Sequence, residues 1–404
     1  MKRDHRAAEL FDALVGRRTG IVRHVNFVNP ISGDAPLFYA GATIANAHPV
    51  WGDHDGLNVG GCGTTKADAM IAALCEGVER YAASSYDPSQ PCQLAGDLGG
   101  KVDDSIESHS LVRWVEGFDS GSGEPCQVPA AKAYVFYQPG PGETVIGPGH
   151  SSGLACADSL DEAIERGICE LIERDAMTIA WMKGVSPPRV DPVTVMEIAG
   201  EFAPPNDDVR VYDLTTDVGV PVMLAVCRGP SPFGQIIATG CTCRPDPRAA
   251  LRHAMKEASQ TRVYVRLLIE QDPHWQVEPD FSNVTDFSLH ARMYTGRPKL
   301  VNRALAFLDH NDVSSRAFDD LSDDPIKREV TRSFDSMYVD LTQSWAESIG
   351  LYVVRVVANG LVPLHGDRRF VTVDHPRLAN WSEVFPNGVR KHDHELWPYP
   401  HPFP

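Results

Sequence analysis

Apolar and polar residues alternate in six short segments of the chain, which predicts β-strands. The segments are residues 19–28, 131–138, 209–213, 220–227, 234–243 and 350–358. Their lengths and their Val, Ile, Tyr and Phe content are typical of strands. A helix is predicted over residues 335–349, whereas residues 271–330 are polar and show no clear organisation. The mixture predicts an α+β (mixed α/β) fold with helices packed on sheets.

Three long helices are the clearest predicted elements. They begin after Thr65, Ser159 and Asp246, residue types that cap helix N-termini. Each cap is supported by a second start signal, either an acid three residues later or, after Asp246, a proline at the first helical position. Glycines precede each cap.

The three helices carry the same side-chain chemistry in the same phase. The eleventh residue after each cap is a glutamate, and another acid or amide follows three positions later. These residues are Glu76 and Glu79, Glu170 and Glu173, and Glu257 and Gln260. Residues three apart share a helix face, so each helix presents two oxygen-bearing side chains together. Because the flanking positions are apolar, convergence of the helices around a hard cation is favoured over solvated surface acids.

Arginines follow the acids closely, at Arg80, Arg174 and Arg262. Their guanidinium groups could bind phosphates or balance the carboxylates. The sequence contains no GxxxxGK[ST] motif, so the usual phosphate cradle is absent. The glycines of residues 61–63 could offer backbone N–H groups to an anion. Together these features predict a magnesium–nucleotide site without a P-loop.

The last eight residues, WPYPHPFP at 397–404, have a proline at every second position. Such a segment cannot form a helix or a central strand, because each proline lacks an N–H group. An extended, polyproline-like tail is predicted, with a disordered end as the alternative.

The composition narrows the possible functions. The chain has 404 residues, 43% of them apolar, and a formal net charge of −17, which disfavours non-specific nucleic-acid binding. Apolar runs fall short of the ~18 residues that span a membrane, and the N-terminus lacks a secretory apolar stretch. A cytoplasmic protein without membrane or nucleic-acid partners is therefore expected. The nine scattered cysteines are expected to be buried reduced thiols.

Taken together, the motifs resemble the YcaO family. The family pattern G-x-G, E-x-x-E-R-Y, then G-L-A, E-A, E-x-I-E-R-D, then E-A-x-Q-x-R is matched at residues 61–63, 76–81, 153–155, 162–163, 170–175 and 257–262. The terminal prolines are similar to the P-x-P-x-P ending of azoline-forming members. The chain departs from the pattern at Cys62, where members often have lysine, and at Ala72, where many have serine.

The resemblance implies an ATP-dependent enzyme that closes Cys, Ser or Thr side chains of a ribosomally made precursor peptide into thiazolines or oxazolines. ATP and Mg²⁺ are the implied cofactors. The implied nucleotide-binding residues are Glu76, Glu79, Arg80, Glu170, Glu173, Arg174, Glu257, Gln260 and Arg262, with Mg²⁺ on Glu76, Glu79, Glu170, Glu173 and Glu257. The C-terminal carboxylate of Pro404 is implicated in proton transfer.

The resemblance also implies a domain organisation and partners. Residues 1–396 are expected to form one catalytic domain, with core motifs at 60–262 and a C-terminal part at 263–396, while residues 397–404 enter the active site. Expected partners are the precursor peptide, a leader-peptide-binding protein resembling ubiquitin-activating enzymes and, as an option, a flavin-dependent azoline dehydrogenase. A homodimer or a heteromeric complex is expected.

Three alternatives remain open at this point. Thioamide or amidine formation would use the same ATP chemistry with another nucleophile. A non-catalytic scaffold or regulatory subunit belongs to a different class, and the departures at Cys62 and Ala72 favour it slightly. A serine hydrolase is indicated by G-x-S-x-G at residues 149–153, but the next helix cap follows Ser151 by eight residues, whereas a nucleophile elbow requires a helix directly after the serine.

Overall fold

The computed structural model describes most of the chain. The described residues are 2–46, 57–86, 92–97, 101–102, 106–146, 150–308, 310, 312–313, 316, 318, 336–367 and 371–404. Two compact units are present. The first consists of Met1–Val28, Phe38–Leu171 and Lys327–Leu361, and the second of Asn29–Leu37, Ile172–Ile326 and Val362–Pro404.

Helices and strands alternate irregularly along the described residues. The strands are β1 Val22–Val28, β2 Phe38–Ile44, β3 Asn58–Gly63, β4 Cys92–Leu94, β5 Lys101–Val102, β6 Leu111–Asp119, β7 Pro125–Pro129, β8 Leu154–Ala157, β9 Asp208–Asp213, β10 Val222–Ser231, β11 Gly234–Cys243, β12 Ser336–Asp340 and β13 Tyr352–Ala358. The helices are α1 Lys2–Leu14, α2 Lys66–Ser84, α3 Ala130–Ala133, α4 Leu160–Lys183, α5 Pro192–Ala199, α6 Pro247–Gln271, α7 Phe287–Arg292, α8 Pro298–Ala304, α9 Ser344–Glu347, α10 Pro376–Ala379 and α11 Trp381–Val384. This mixture of helices and sheets confirms the predicted fold class.

The first unit contains two sheets. Strands β1, β2 and β3 form an antiparallel sheet in that order, and α2 packs against β2 and β3. The larger sheet has the order β5-β7-β6-β12-β13-β8, with β4 also paired to β6. Apolar side chains from α1, α2 and both sheets join in one core cluster, including Leu14, Ile44, Leu74, Val128 and Val353. Strand β3 precedes the predicted acidic helix α2, and β8 precedes α4. Each of these strands therefore lies at an edge of its sheet.

The second unit is built on the antiparallel sheet β11-β10-β9. Helix α6 packs along β11 and β10, and its buried face carries Ala250, Leu251, Ala254 and Met255. Here too the strand before the helix, β11, lies at an edge of its sheet. Residues 172–183 of α4 belong to this unit, and the preceding part of α4 to the first.

The three predicted helix starts are confirmed. Thr65 accepts a hydrogen bond from the backbone N of Asp68, and Asp246 caps α6 with a proline in its first turn. The Ser159 hydroxyl accepts from the backbone N of Glu162 at 3.3 Å. Strands are confirmed in five of the six predicted segments, as β1, β9, β10, β11 and β13.

Two predicted elements are wrong. Residues 131–138 form the short helix α3 and then a turn, because Ala and Lys are good helix formers and Phe136 takes a positive φ of 56°. The strand in this region ends earlier, at Pro129. Residues 336–340 of the predicted helix 335–349 form β12, which is held between β6 and β13, and only α9 is helical there among the described residues. Tertiary pairing overrides local pattern in that segment.

The structure adds two observations to the composition analysis. Within the described residues, no helix combines the length and the apolar character that crossing a membrane requires. The nine cysteines are present as thiols, and seven of them are buried.

Gly61 of β3 allows α2 to approach the sheet closely. A Cβ atom at Gly61 would lie 2.5 Å from the backbone N of Ala73 and 2.6 Å from the backbone O of Ala69. Since a methyl group cannot fit there, helix and strand would have to separate.

We therefore expect Gly61→Ala to lower the free energy of unfolding by about 2 kcal/mol or more in urea titrations. Gly41→Ala, in the neighbouring strand β2, is the matched control, because its Cβ would meet only the carbonyl of Val59 at 3.9 Å. The control should change stability by less than about 0.5 kcal/mol. Equal losses in the two variants would contradict the packing argument.

Candidate functional site

The three in-phase glutamates make the same contact with the backbone. Each accepts a hydrogen bond through Oε2 from an N–H group on, or directly beside, the strand that precedes its helix. The pairs are Gly60 to Glu76 at 3.0 Å, Gly153 to Glu170 at 3.1 Å and Cys241 to Glu257 at 3.1 Å. Strands β3, β8 and β11 all lie at sheet edges, where N–H groups lack a strand partner. The repeat seen in the sequence is therefore a repeated strand-to-helix contact that fixes each carboxylate.

In the first unit, carboxylates from α2 and α4 lie close together. Burial raises the pKa of Glu79 to about 8, Arg80 opposes this shift, and the charges of Glu170 and Glu76 add to it. Arg80 contacts Glu79 at 3.1 Å and Glu76 at 3.5 Å. Arg80 thus contacts two acids of α2, and the charge of Glu170 from α4 acts on the same group of residues.

Arg355 is a further member of this cluster that the sequence analysis missed. Burial lowers its pKa to about 10, while Glu170 and Glu79 attract its charge and Arg80 repels it. Its Nε donates to the carbonyl of Lys132 at 2.9 Å, and the guanidinium approaches His150 Nδ1 at 3.4 Å. The available signal was a charged residue in the interior of the otherwise apolar strand VVRVVA.

In the second unit, α4 and α6 bring two more carboxylates to the edge of β11. Glu173 accepts from the backbone N of Cys243 at 3.1 Å, and the Thr242 hydroxyl lies 3.4 Å from Glu257 Oε2. Burial raises the pKa of the Cys241 thiol well above its usual value, the charges of Glu173 and Glu257 raise it further, and Arg174 opposes them. Strand β11 is therefore the meeting point of acids from two different helices.

The remaining predicted residues of α6 are placed differently. Gln260 is half-buried and lies one turn after Glu257, on the same helix face. Arg262 is five residues after Glu257, about 140° around the helix axis. Its guanidinium pairs with Asp207 at 2.8 Å and with Asp34 at 3.5 Å. The structure thus places Arg262 in a buried ion network and does not bring it beside Glu257.

The two residues that depart from the predicted motif pattern, Cys62 and Ala72, both lie in the packed contact between β3 and α2. Cys62 is buried in β3, and Ala72 is half-buried on α2, where it faces Gly61 across the helix–strand contact. The G-x-S-x-G segment does not form a nucleophile elbow, since β8, not a helix, follows Ser152 and α4 begins only at Leu160. Gly149 of that motif lies outside the described residues.

The tail at 397–404 packs into the second unit without forming helix or strand. Its carbonyl groups accept hydrogen bonds from side chains of the unit. Trp181 donates to Tyr399 O at 2.7 Å, Tyr294 to Pro400 O, His290 to His401 O at 2.9 Å and Thr239 to Pro402 O at 3.2 Å. Phe403 is 2% exposed, so the disordered alternative does not hold for this segment.

His401 ties the tail to the predicted nucleotide-binding residues of α4. Burial lowers its pKa well below the usual value, and the charges of His290, His365 and Arg174 lower it further. Its Nε2 donates to His365 O at 2.8 Å, and its Nδ1 accepts from the backbone N of Phe403 at 3.3 Å, which defines a neutral ring. Pro404 is half-buried at the end of this segment.

The donor chemistry fits a magnesium–nucleotide complex. Among the described residues, no three or more His, Cys, Asp or Glu side chains form a ready-made metal cage. Mg²⁺ usually takes only one or two carboxylates and completes its shell with phosphate oxygens and water, so such a cage is not required. Each unit offers carboxylates of this kind: Glu76, Glu79 and Glu170 in the first unit, and Glu173 and Glu257 in the second.

Fold and site together define a mixed α/β protein that presents helix carboxylates for metal–nucleotide binding without a P-loop. The chain belongs to the YcaO family, because the family model described as YcaO cyclodehydratase, ATP- and Mg²⁺-binding, matches residues 60–362. This confirms the resemblance seen in the sequence, ATP and Mg²⁺ as cofactors, and the class of ATP-dependent cyclodehydratases.

Several proteins are similar to the chain in sequence or in fold. An uncharacterized protein of Methanothermobacter thermautotrophicus is 26% identical over 321 residues, covering 74% of this chain and 80% of the relative. A heterocyclase solved in complex with substrate and cofactor has a TM-score of 0.72 at 20% identity, with 98% of this chain and 57% of that chain covered. YcaO from Methanopyrus kandleri, bound with AMPPCP and Mg²⁺, gives 0.64 at 19% identity over 95% and 91% of the two chains. At these identities the structures show a shared fold.

The raised pKa of Glu79 predicts that binding of a metal–nucleotide at this residue would release a proton. With a pKa of about 8, roughly nine-tenths of the Glu79 carboxyls hold a proton at pH 7. A divalent cation binds the carboxylate form and expels that proton. In titration calorimetry at pH 7 in buffers of different ionisation enthalpy, we expect the wild-type chain to release about 0.9 more proton per bound Mg–nucleotide than Glu79→Gln. Equal release would mean that Glu79 does not meet the metal.

The same pKa predicts how stability depends on pH without nucleotide. Glu79 is raised above the ordinary carboxyl value, so its contribution to stability is complete at low pH and is lost as pH rises through about 8. Between pH 5 and 9, the melting temperature of the wild-type chain should therefore fall relative to the melting temperature of Glu79→Gln. Parallel melting curves for the two proteins would contradict the assigned shift.

Proposed function

We propose that the chain catalyses ATP-dependent cyclodehydration of Cys, Ser or Thr residues in a ribosomally made precursor peptide, giving thiazolines or oxazolines. The observation that carries this proposal is the repeated glutamate-to-strand-edge contact, which holds acids of α2, α4 and α6 as fixed oxygen donors. Fixed carboxylates of this kind suit a cation-bound triphosphate, and ATP supplies the driving force for removing an amide oxygen.

The chemistry explains why a nucleotide is required. A thiol or hydroxyl adds to the preceding amide carbonyl and gives a tetrahedral adduct, whose oxygen is a poor leaving group. Transfer of the γ-phosphoryl group from ATP to that oxygen leaves ADP, and the oxygen then departs as phosphate. Loss of the nitrogen proton completes the azoline, and the peptide has lost one water. The protein's tasks are alignment and charge stabilisation.

The chain's own residues divide these tasks. The glutamates would hold Mg²⁺, and Arg80 and Arg174 would meet phosphate charge, since each lies directly beside an acid of the site. Arg262 is a weaker candidate for phosphate contact because Asp207 and Asp34 engage it. We assign the proton-accepting role to the carboxylate of Pro404, because buried contacts fix the tail before it and the charge of Arg174 acts on His401 of that tail.

Partners follow from the same proposal. The peptide substrate needs a binding surface, and one structural neighbour of the chain, the E. coli microcin synthetase McbBCD, was solved as a complex. We propose that a separate leader-peptide-binding protein, resembling ubiquitin-activating enzymes, supplies that surface in a heteromeric complex. An azoline dehydrogenase with flavin would act afterwards on the released product.

The first test of the proposal is mass spectrometry of a Cys/Ser/Thr-rich precursor peptide treated with the chain, its partner and Mg–ATP. Loss of one water per modified residue supports azoline formation. Exchange of oxygen for sulfur would assign thioamide formation instead. A rate of ATP hydrolysis that does not depend on the peptide would favour a scaffold role or another activity.

Replacing the anchored glutamates tests the nucleotide site. We expect Glu76→Gln and Glu170→Gln each to weaken Mg–ATP binding by tenfold or more, because a neutral amide binds Mg²⁺ poorly and loses the charge-assisted contact to the strand edge. Asp161→Asn, on the exposed N-terminal turn of α4, is the matched control and should bind normally. Unchanged affinity in both glutamine variants would remove the site assignment.

Moving the terminal carboxylate tests the tail without deleting its buried contacts. Appending one glycine after Pro404 keeps the sequence that packs against Trp181 and Thr239 but shifts the charge by one residue. We expect cyclisation to slow by about 100-fold or more while Mg–ATP affinity stays unchanged, the usual size of a lost general base. A glycine appended at the N-terminus is the control. A wild-type rate in the C-terminal variant would show that this carboxylate is not the base.

A further inference from the structure

A cavity of about 340 Å³ lies in the second unit, and none of the acids of the nucleotide site line it. It is formed by the end of α6, the turn that follows, and the segment from Arg292 to Arg297. We call it the arginine pocket and define it by Phe233, Trp275, Gln276, Arg292, Thr295 and Arg297. Its volume is that of a small-molecule site.

The pocket concentrates positive charge in an acidic protein. Burial lowers the pKa of Arg292, while Asp272 and Asp286 oppose the shift. Burial also lowers the pKa of Arg297, and the charge of Arg292 lowers it further, so the two guanidinium groups repel each other. Asp272 lies 3.8 Å from Arg292, but among the described residues no ion pair joins a carboxylate to Arg297. The charge of Arg297 is therefore left for a ligand.

Thr295 supplies an independent sign of a missing partner. It is 8% exposed, and its hydroxyl is buried without a hydrogen-bond partner in the described part of the chain. A buried hydroxyl without a partner is destabilising, because folding has removed its water. Thr295 lines the cavity, but its hydroxyl oxygen has almost no accessible surface, so a polar group of a ligand would satisfy it only after the side chain rotates toward the opening.

Aromatic rings give the pocket a flat apolar wall. Trp275 stacks with the Arg292 guanidinium at 5.0 Å, and Phe233 lines the cavity as well. Gly234 and Gly296 both have positive φ, and a Cβ on Gly234 would lie 3.1 Å from the Cα of Gly296, so the hairpin tip and the segment after α7 approach closely here. A ligand with a planar group would lie against this wall.

We propose that the arginine pocket binds a carboxylate attached to an aromatic or other planar apolar group. Most donors are already used, since Arg292 donates to Asp272 O and Arg297 donates to Met293 O at 2.9 Å, Thr295 O at 3.4 Å and Gln276. Arg292 is offset by Asp272 and Asp286, so Arg297 is the arginine of the pocket without a carboxylate contact in the described part of the chain, and one such charge matches a carboxylate better than a phosphate dianion. The inference is independent of the nucleotide chemistry.

Benzoate is the probe, and binding is measured on the full chain by calorimetry and tryptophan fluorescence in low chloride. We expect saturable binding that is at least tenfold tighter than binding of benzamide, its neutral analogue of the same shape. Arg297→Gln should weaken benzoate binding at least tenfold, and Thr295→Val should weaken it about threefold, the sizes expected for a lost charged and a lost neutral hydrogen bond. Arg303→Gln, on the exposed side of α8, is the matched control and should bind as the wild type does.

Circular dichroism and thermal melting establish that each variant is folded before binding is compared. Should Arg297→Gln fail to fold, Thr295→Val and the benzoate–benzamide comparison decide the question. Equal binding of benzoate and benzamide, no saturable benzoate binding, or tighter binding of phenyl phosphate than of benzoate would each overturn the assignment.

Discussion

The contact on which the site depends is the hydrogen bond between a helix glutamate and an N–H group at a sheet edge. It occurs three times, at Glu76, Glu170 and Glu257, each time with the strand that leads into the helix. Hydrogen bonds to ionised acceptors are about twice as strong as neutral ones. The contact also covers an edge that would otherwise expose its N–H groups. The same hydrogen bond therefore occupies one N–H group at an edge of each of three sheets and orients three carboxylates.

Close packing of helix on strand is the condition for this contact, and it explains the glycines. Gly61 and Gly240 each lie where a Cβ atom would overlap the backbone of the following helix. Burying several acids beside one another costs stability unless cations offset it. Arg80, Arg355 and Arg174 offset part of that cost, but burial still raises the pKa of Glu79 to about 8. A bound cation would offset the rest of that cost.

Local signals in the sequence are sufficient to predict the three long helices and the acids that they carry. Caps and the eleven-residue spacing are properties of single segments, so Thr65 and Asp246 could be assigned without a structure. Arg355 could not be assigned, because its place among the acids depends on where β13 lies in its sheet. Residues 336–340 were misassigned for the same reason, since pairing with β6 and β13 decides their conformation. Arg262 was grouped with the acids by motif, yet helix geometry turns it toward Asp207.

The tail shows how composition and tertiary structure fit together once both are known. A chain with proline at every second position has few N–H donors but keeps all its carbonyl acceptors. The surface that receives it is accordingly a set of donors, Trp181, Thr239, His290 and Tyr294, on separate elements of the second unit. His401 is the tail's own titratable group there, and burial, followed by the charges of His290, His365 and Arg174, lowers its pKa well below the usual value. The tail is thus held by matched donors and acceptors.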